Sequence, residues 1–283
     1  MTVGDRPARK FPLALGRLHE ANRQKAGQAP GASGAPMSRA LLRPQRHAAD
    51  AHADAARHRA PVGLGLDSAD VRARMVQRLR AEGVAQPRVL AAFSNVPRHV
   101  FVDAALATQA YEDTSLPIGH GQTISKPSVV ARMLELLFEG RNARAAGGLG
   151  AVLEIGTGCG YQAALLTELG QRVVSVERLR PLHEKARELL ATMRGTRLRL
   201  VLGDGTLGHA PGAPYDSIIA AAGAGELPAA WLEQLAIGGR LVAPVHRPGA
   251  GQVLVVVDRS AEGYTHSAQG AVKFVPLKSG LAG

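Results

Sequence analysis

The sequence is poorest in what would tie it to a membrane or an oxidising compartment. It has one cysteine in 283 residues, Cys159. An internal disulfide is therefore excluded, and a reducing cytoplasm is the expected location. No run approaches the roughly 20 apolar residues that a membrane span needs, so no membrane partner is expected. The apolar piece from Phe11 to Leu15 is too short for a signal-peptide core. The histidines of the N-terminal region, His19, His47, His52 and His58, lack a tight metal-ligand spacing, and no metal is expected.

Acidic residues are outnumbered, 23 Asp and Glu against 34 Lys and Arg, for a net charge of +11. The imbalance is local. Residues 1–60 hold eleven basic and four acidic side chains, a net +7, which leaves +4 for the other 223 residues. A high pI carried by one end does not make a basic face on a folded domain, so no specific nucleic acid is expected. Residues 1–64 are rich in Ala, Arg, His, Gly and Pro and poor in large apolar side chains. Such a segment buries too little surface to offset its ordering entropy. It reads as a disordered basic N-terminal extension with a transient helix near Ala40 to Ala60. Residues 65–283 read as one folded domain.

That domain is organised around Ala151 to Tyr161, AVLEIGTGCGY. An apolar run, three glycines at alternate positions (Gly156, Gly158, Gly160) and a helical pattern predict strand, tight turn and helix. Turns of this kind at the end of a first strand hold nucleotide-like ligands in open α/β sheets. The spacing is not the GxGxxG of dinucleotide binders, because the third glycine falls one residue early. An acid, Glu154, also sits at the strand end. It would repel a diphosphate and suits a ligand bearing an ammonium group. The stretch resembles the first motif of class I S-adenosyl-L-methionine-dependent methyltransferases; NAD binding or a purely structural turn are its alternatives.

Two further strand ends carry acids. Arg172 to Val176 is a β-branched run ending in Glu177. An acid there, about 20 residues past the loop, suits the hydroxyls of a ribose, or else opens the next helix as a favourable first-turn charge. The strand Leu198 to Leu202 ends in Gly203-Asp204-Gly205. Asp204 there reads either as an adenine contact or as part of an Asp-Gly turn.

Around this centre, Ser68 should cap a helix through Val71, Met75 and Leu79. A second helix covers Val89 to Phe93. Val96 to Val102 should turn into an extended segment, and Asp103 should cap a short helix ending near Tyr111. Tyr111 to Pro127 (YEDTSLPIGHGQTISKP) reads as a long polar loop between two apolar helices, and loops of that length in a compact domain are often functional. Val129, Val130, Met133, Leu134 and Leu137 then make a helical face. Spacing alone favours Ser125 as the N-cap of that helix, with Pro127 in its first turn, over a hydroxyl donor beside a cofactor. Tyr215 to Ala220 should form a fourth strand and Leu227 to Leu235 a helix. Gly238-Gly239 should turn into a strand from Arg240 to Ala243. Val253 to Val257 should form a buried strand, and Ala271 to Leu277 a last one. The alternation predicts an α/β fold: a Rossmann-like, doubly wound, mostly parallel sheet with helices on both faces.

Taken in order, several segments together resemble the protein-L-isoaspartate O-methyltransferases. They are Val96-Pro97-Arg98-His99-Val100-Phe101-Val102, Ala110 to Asp113, Leu116 to Pro127 (LPIGHGQTISKP), Leu153 to Tyr161, Val174 to Arg178, Gly203 to Gly205, Gln234 to Val245 and Phe274 to Leu277. The resemblance spans roughly Ser68 to Leu277; Lys126 departs from the usual Gln or Ala. It implies methyl transfer from S-adenosyl-L-methionine to the free α-carboxylate of L-isoaspartyl residues in damaged proteins and peptides. The ester then recyclises to a succinimide. It implies Ser125 as the active serine. Glu154, Gly156, Gly158 and Gly160 would line the methionyl part of the cofactor. Glu177 would take the ribose, and Asp204 and Gly205 would edge the adenine. Gln122, Thr123 and Ser125 would cover the cofactor. A monomer is expected.

The chemistry needs little from the protein. A carboxylate with a reference pKa near 3.9 is already ionised at neutral pH, so no general base is required and His120 is not needed as one. The run Ala220 to Gly225 after the fourth strand offers no acid, base or nucleophile. Ser125 is expected to orient the acceptor carboxylate by a hydrogen bond. The alternatives are a methyltransferase acting on RNA or on one dedicated peptide, and a module that binds the cofactor without transfer. Against RNA, the fourth-strand loop lacks an Asn/Asp-Pro-Pro-aromatic motif, and Cys159 is misplaced for carbon-5 chemistry.

Overall fold

The computed structural model describes residues 69–191 and 197–283. The extension read over 1–64, its histidines and its transient helix lie outside the described residues, as does Ser68, the expected first cap.

Helices α1 (Ala69–Ala81) and α2 (Pro87–Asn95) come first. Met75 and Leu79, one turn apart, are the buried residues of α1. Two 3-10 turns follow, Arg98–Phe101 and Ala104–Gln109. The first stands where an extended segment was expected. Pro97 stands at its N-terminal boundary, and the turn buries Arg98 and Phe101 three residues apart on one side. Asp103 caps the second by accepting from Ala105 N, as expected.

The expected loop from Tyr111 to Pro127 contains a hairpin, β1 (Leu116–Gly119) with β2 (Gln122–Ile124). Its turn holds Gly119, His120 and Gly121 at φ 96°, 52° and 68°. Left-handed backbone is cheap for glycine, so two glycines around His120 make this turn accessible. Leu116, Ile118 and Ile124 point into the core. Strands of four and three residues are too short for their alternation to stand out. Helix α3 (Pro127–Phe138) follows, then α4 (Arg141–Ala146), whose six residues have no counterpart in the sequence reading.

The main sheet holds β3 (Ala151–Ile155), β4 (Arg172–Glu177), β5 (Leu198–Leu202), β6 (Tyr215–Ala220), β7 (Leu235–Arg247), β8 (Gly251–Arg259) and β9 (Tyr264–Ala271). Their order is β5-β4-β3-β6-β7-β8-β9, parallel from β5 through β7 and antiparallel beyond. The chain runs outward from β3 to one edge and then returns to β6 on its other side. Ligands bind open α/β sheets at such a switch point, outside the carboxyl ends of the strands. Helices α5 (Tyr161–Leu169) and α6 (Arg180–Leu189) connect the first half. Helix α7 (Ala229–Gln234), shorter than expected, precedes β7.

Alternation across the sheet divides the core in two. Ala151, Leu153 and Ile155 join Trp231 and Leu235 on one side, while Val152 joins the α1–α5 side. Glu154 therefore faces the α5 side. Two strand expectations need correction. β7 begins at Leu235, not after Gly238-Gly239, and absorbs the glycines in a register shift against β6. The last strand is β9, not Ala271 to Leu277. β9 was missed because it is a polar edge, exposed along most of its length. The segment after it forms isolated bridges, Pro276 with Gly223 and Ala282 with Leu179, in place of a strand. It is held by the Gln252 side chain, which accepts from Phe274 N and donates to Phe274 O.

Candidate active site

A cavity of about 210 Å³ opens at the carboxyl ends of β3, β4 and β6. Its floor is the glycine loop, and its walls include the β1–β2 hairpin and the chain from Val275 to Lys278. Gly156 and Gly158 line it with φ 89° and 56°. A Cβ on Gly158 would stand 3.3 Å from Ile118 Cδ1, so the loop and hairpin approach closely because that position is bare. Gly160 does not line the cavity. It packs against α6, where a Cβ would come within 2.7 Å of Leu190 Cδ1.

Glu154 is fully buried. The parallel register places it opposite Ser175 on β4. Both side chains share a face, so Ser175 Oγ donates to Glu154 Oε2 at 2.5 Å, and Thr157 Oγ1 lies 2.6 Å from Ser175 Oγ. Glu154 Oε1 is buried with no partner in hydrogen-bond geometry, and the same holds for Gln162 Nε2, whose residue lines the cavity. Burial pushes the Glu154 carboxyl up to about 8. Ser175 and Gln162 oppose the rise, and the charge of Glu177 adds to it. Gln162 at the cavity brings a donor that suits the carboxylate of a methionyl group, with the Glu154 carboxyl beside it as an acceptor for the ammonium.

Glu177 lines the cavity from the end of β4. Its Oε2 accepts from Gly158 N and its Oε1 from Leu179 N, each at 2.9 Å. Each carboxylate oxygen retains a further lone pair. Asp204 caps the short turn at Gly205–Leu207, accepting from Thr206 N and Oγ1, and its other oxygen accepts from Gly280 N. Partial burial raises its pKa, but these hydrogen bonds and Arg178 outweigh that and hold it below the usual carboxylate range. Its neighbour Gly205 lines the cavity; Asp204 and Glu154 are not among the lining residues.

Gln122, Thr123 and Ser125 line the hairpin side. Ser125 is not the N-cap of α3. That position belongs to Lys126, and the role of a capping side chain falls to Asp113, which accepts from Ser128 N at 2.8 Å and Ser128 Oγ at 2.7 Å. The Ser125 hydroxyl is thereby left at the cavity without a capping duty, while its carbonyl accepts from Arg98 Nη2 at 2.7 Å. His120 is exposed on the rim. Cys159 is buried, and burial pushes its thiol up to about 11, which removes it as a nucleophile near neutral pH. The side chains of Ala221 and Ala222 bring no acid or base to the opposite wall.

A model of the protein-L-isoaspartate(D-aspartate) O-methyltransferase family matches residues 70–282, the whole span that builds this cavity. The chain belongs to that family. It is 58% identical over 282 residues to the protein-L-isoaspartate O-methyltransferase of Methylibium petroleiphilum, covering 99% of both chains. It is 60% identical over 242 residues to that of Leptothrix cholodnii, covering 85% of this chain and 84% of the relative. A solved protein-L-isoaspartate O-methyltransferase superposes with a TM-score of 0.65 at 28% identity, over 74% of this chain and 67% of the other. A putative family member from Plasmodium falciparum, solved with S-adenosyl-L-homocysteine, shares the fold with a TM-score of 0.61 at 21% identity, over 72% and 97%.

Within the family's segments, three contributors escaped reading residue by residue. Arg98 is buried and reaches Ser125 from 27 positions away. Asp113 caps a helix that starts 14 residues later. Gln162 faces the cavity from the first turn of α5. No local pattern signals such contacts; the Val96 to Val102 and Ala110 to Asp113 stretches carried a hint for Arg98 and Asp113, through the resemblance.

Proposed function

We propose that this chain transfers a methyl group from S-adenosyl-L-methionine to the free α-carboxylate of L-isoaspartyl residues in proteins and peptides. The product ester is set to recyclise to a succinimide, the first step of repair. The observation that carries this reading is the 58% identity over 99% of the chain to a protein-L-isoaspartate O-methyltransferase. The cavity supports it, offering Gln162 and the bare glycine loop to a methionyl group and carrying no acid–base machinery on its alanine wall.

S-adenosyl-L-methionine supplies a methyl group already activated for transfer by its sulfonium. The protein's part is to hold and to exclude. Glu154 and Gln162, with the bare backbone of Gly156 and Gly158, would hold the methionyl end, and Gly160 keeps that loop packed on α6. Glu177 would accept from the ribose hydroxyls while bracing the glycine loop through Gly158 N. Asp204 and Gly205 would edge the adenine, with Asp204 fixing the turn that carries Gly205. Gln122, Thr123 and Ser125 would cover the site. The Ser125 hydroxyl would donate to the acceptor carboxylate and aim one oxygen at the methyl. Since that carboxylate is already ionised, alignment is the main service, and alignment contributes up to roughly 7–11 kcal/mol in well-oriented reactions.

Residues 65–283 would form the catalytic domain, a reading supported by the family match over residues 70–282. A reducing compartment such as the cytoplasm suits a chain whose one cysteine is free and buried. Among the described residues, no helix is long and apolar enough to cross a membrane.

The test is methyl transfer from labelled cofactor to a matched peptide pair, one with L-isoaspartate and one with L-aspartate. Base-labile label on the isoaspartyl peptide alone is expected. Cofactor binding with no label on either peptide would overturn the substrate and point to RNA or a dedicated peptide.

A further inference from the structure

Arg98 is fully buried, yet it forms no ion pair among the described residues. A buried cation without a counter-ion is costly. What it has instead is carbonyls. Nε donates to Ala110 O at 2.8 Å, and Nη2 donates to Ser125 O at 2.7 Å and to Thr114 O at 3.4 Å. Nη1 is buried with no acceptor in hydrogen-bond geometry. The guanidinium lies over the ring of Tyr161, with Cζ 4.9 Å from the centroid. Tyr161 is the first residue of α5 and lines the cavity. One side chain thus joins the end of the second 3-10 turn, the approach to the hairpin, the backbone of Ser125 and the helix behind the glycine loop.

Asp113 attracts Arg98 electrostatically, but its oxygens are already taken by Ser128 N and Oγ. The positive charge behind Ser125 is therefore left largely unmatched at close range. A planar fork can hold several carbonyls at fixed angles, which an ammonium cannot.

We infer that Arg98 is a positioning residue for methyl transfer: it fixes the backbone of Ser125, and stands as an unpaired positive charge behind the place where the acceptor carboxylate is held. The inference rests on the function proposed above. It makes two separable demands, geometry and charge. Lysine keeps the charge and loses the fork. Methionine loses both.

The experiment measures kcat and KM for an isoaspartyl peptide, and the affinity for S-adenosyl-L-homocysteine, in wild type, Arg98→Lys and Arg98→Met. Arg98→Lys should lose at least tenfold in kcat while its KM and its S-adenosyl-L-homocysteine affinity stay within about threefold. Arg98→Met should lose kcat likewise and raise KM at least fivefold further. Wild-type kcat in Arg98→Lys would overturn the inference. So would a fall in kcat together with a matching rise in peptide KM and loss of S-adenosyl-L-homocysteine affinity, which marks a general loosening of the core. Should Arg98→Met fail to fold, Arg98→Lys decides alone. A wild type that methylates no isoaspartyl peptide removes the functional reading and this inference with it, whereas an active wild type beside an unaffected Arg98→Lys removes this inference only.

Discussion

Replacing Glu154 by glutamine is predicted to stabilise the ligand-free protein at pH 8 while weakening its hold on the cofactor. The carboxyl lies buried with its Oε1 unpartnered, and burial carries its pKa from 4.5 to about 8. Between those values the folded chain keeps a proton that the unfolded chain has released. Stability therefore falls as pH rises. The favourable contribution is complete below pH 4.5 and is lost as pH passes through about 8. At about 1.4 kcal/mol per unit, a shift of this size corresponds to something on the order of 3–5 kcal/mol. For a domain of this length that is roughly 6–20 °C in Tm. Glutamine keeps an acceptor for Ser175 and cannot ionise, so it should remove the slope.

The assay is thermal unfolding of both proteins without ligand, from pH 5 to pH 8.5. Their difference should be small at the acid end and widen steadily toward pH 8, with the variant the more stable. Parallel curves across that range would refute the reasoning. The cofactor provides an independent check. An ammonium beside Glu154 favours the ionised form. Binding of S-adenosyl-L-homocysteine at pH 6.5 should therefore release close to one proton from the wild type and none from Glu154→Gln. Calorimetry in buffers of different ionisation enthalpy reads that number directly.

Three further outcomes are expected. Ser125→Ala should lower kcat on an isoaspartyl peptide by roughly 10–100-fold, the worth of one hydrogen bond to a charged group, with S-adenosyl-L-homocysteine affinity unchanged; full activity would end the orienting role. Glu177→Ala should weaken cofactor binding by at least tenfold in a direct titration, since it removes the proposed ribose acceptor and also frees Gly158 N and Leu179 N; unchanged affinity would rule out the ribose contact. Trp231 is fully buried and its Nε1 donates to Gly205 O at 2.8 Å. Trp231→Ala should therefore cost about 3–5 kcal/mol in denaturant unfolding, and a loss below 1 kcal/mol would show that α7 does not anchor that loop.

The central strands were legible because burial on both faces writes apolar residues into nearly every position. Ala151–Ile155 and Tyr215–Ala220 stand where the sequence placed them. So does the edge strand Leu198–Leu202, marked by its aliphatic residues. What stayed hidden was short or polar. The hairpin offers too few residues for alternation to show, and its turn is specified by two glycines rather than by a hydrophobic pattern. β9 is an edge, exposed along most of its length, and its composition resembles a loop. The helix cap was misread for a different reason. Ser125 has the right residue type at nearly the right place, but Asp113, distant in sequence, reaches Ser128 first. Local propensity names a capable residue; the tertiary fold decides which capable residue is used.

The same distinction applies to the site. A reaction whose acceptor is already ionised and whose donor is already activated asks for no nucleophile, base or metal, so the residues that matter need not be reactive ones. They need to be well placed. Ser125 acquires its place from Arg98, and it is free of capping duty because Asp113 takes that role. Glu154 takes its orientation from a parallel register that sets it against Ser175. These dependences are long in sequence and short in space. A single sequence therefore reveals the glycine loop and the acids at the strand ends, while the groups that hold them at working angles emerge only when the chain is folded. Activity should therefore be sensitive to substitutions such as Arg98→Lys, which change no reacting atom.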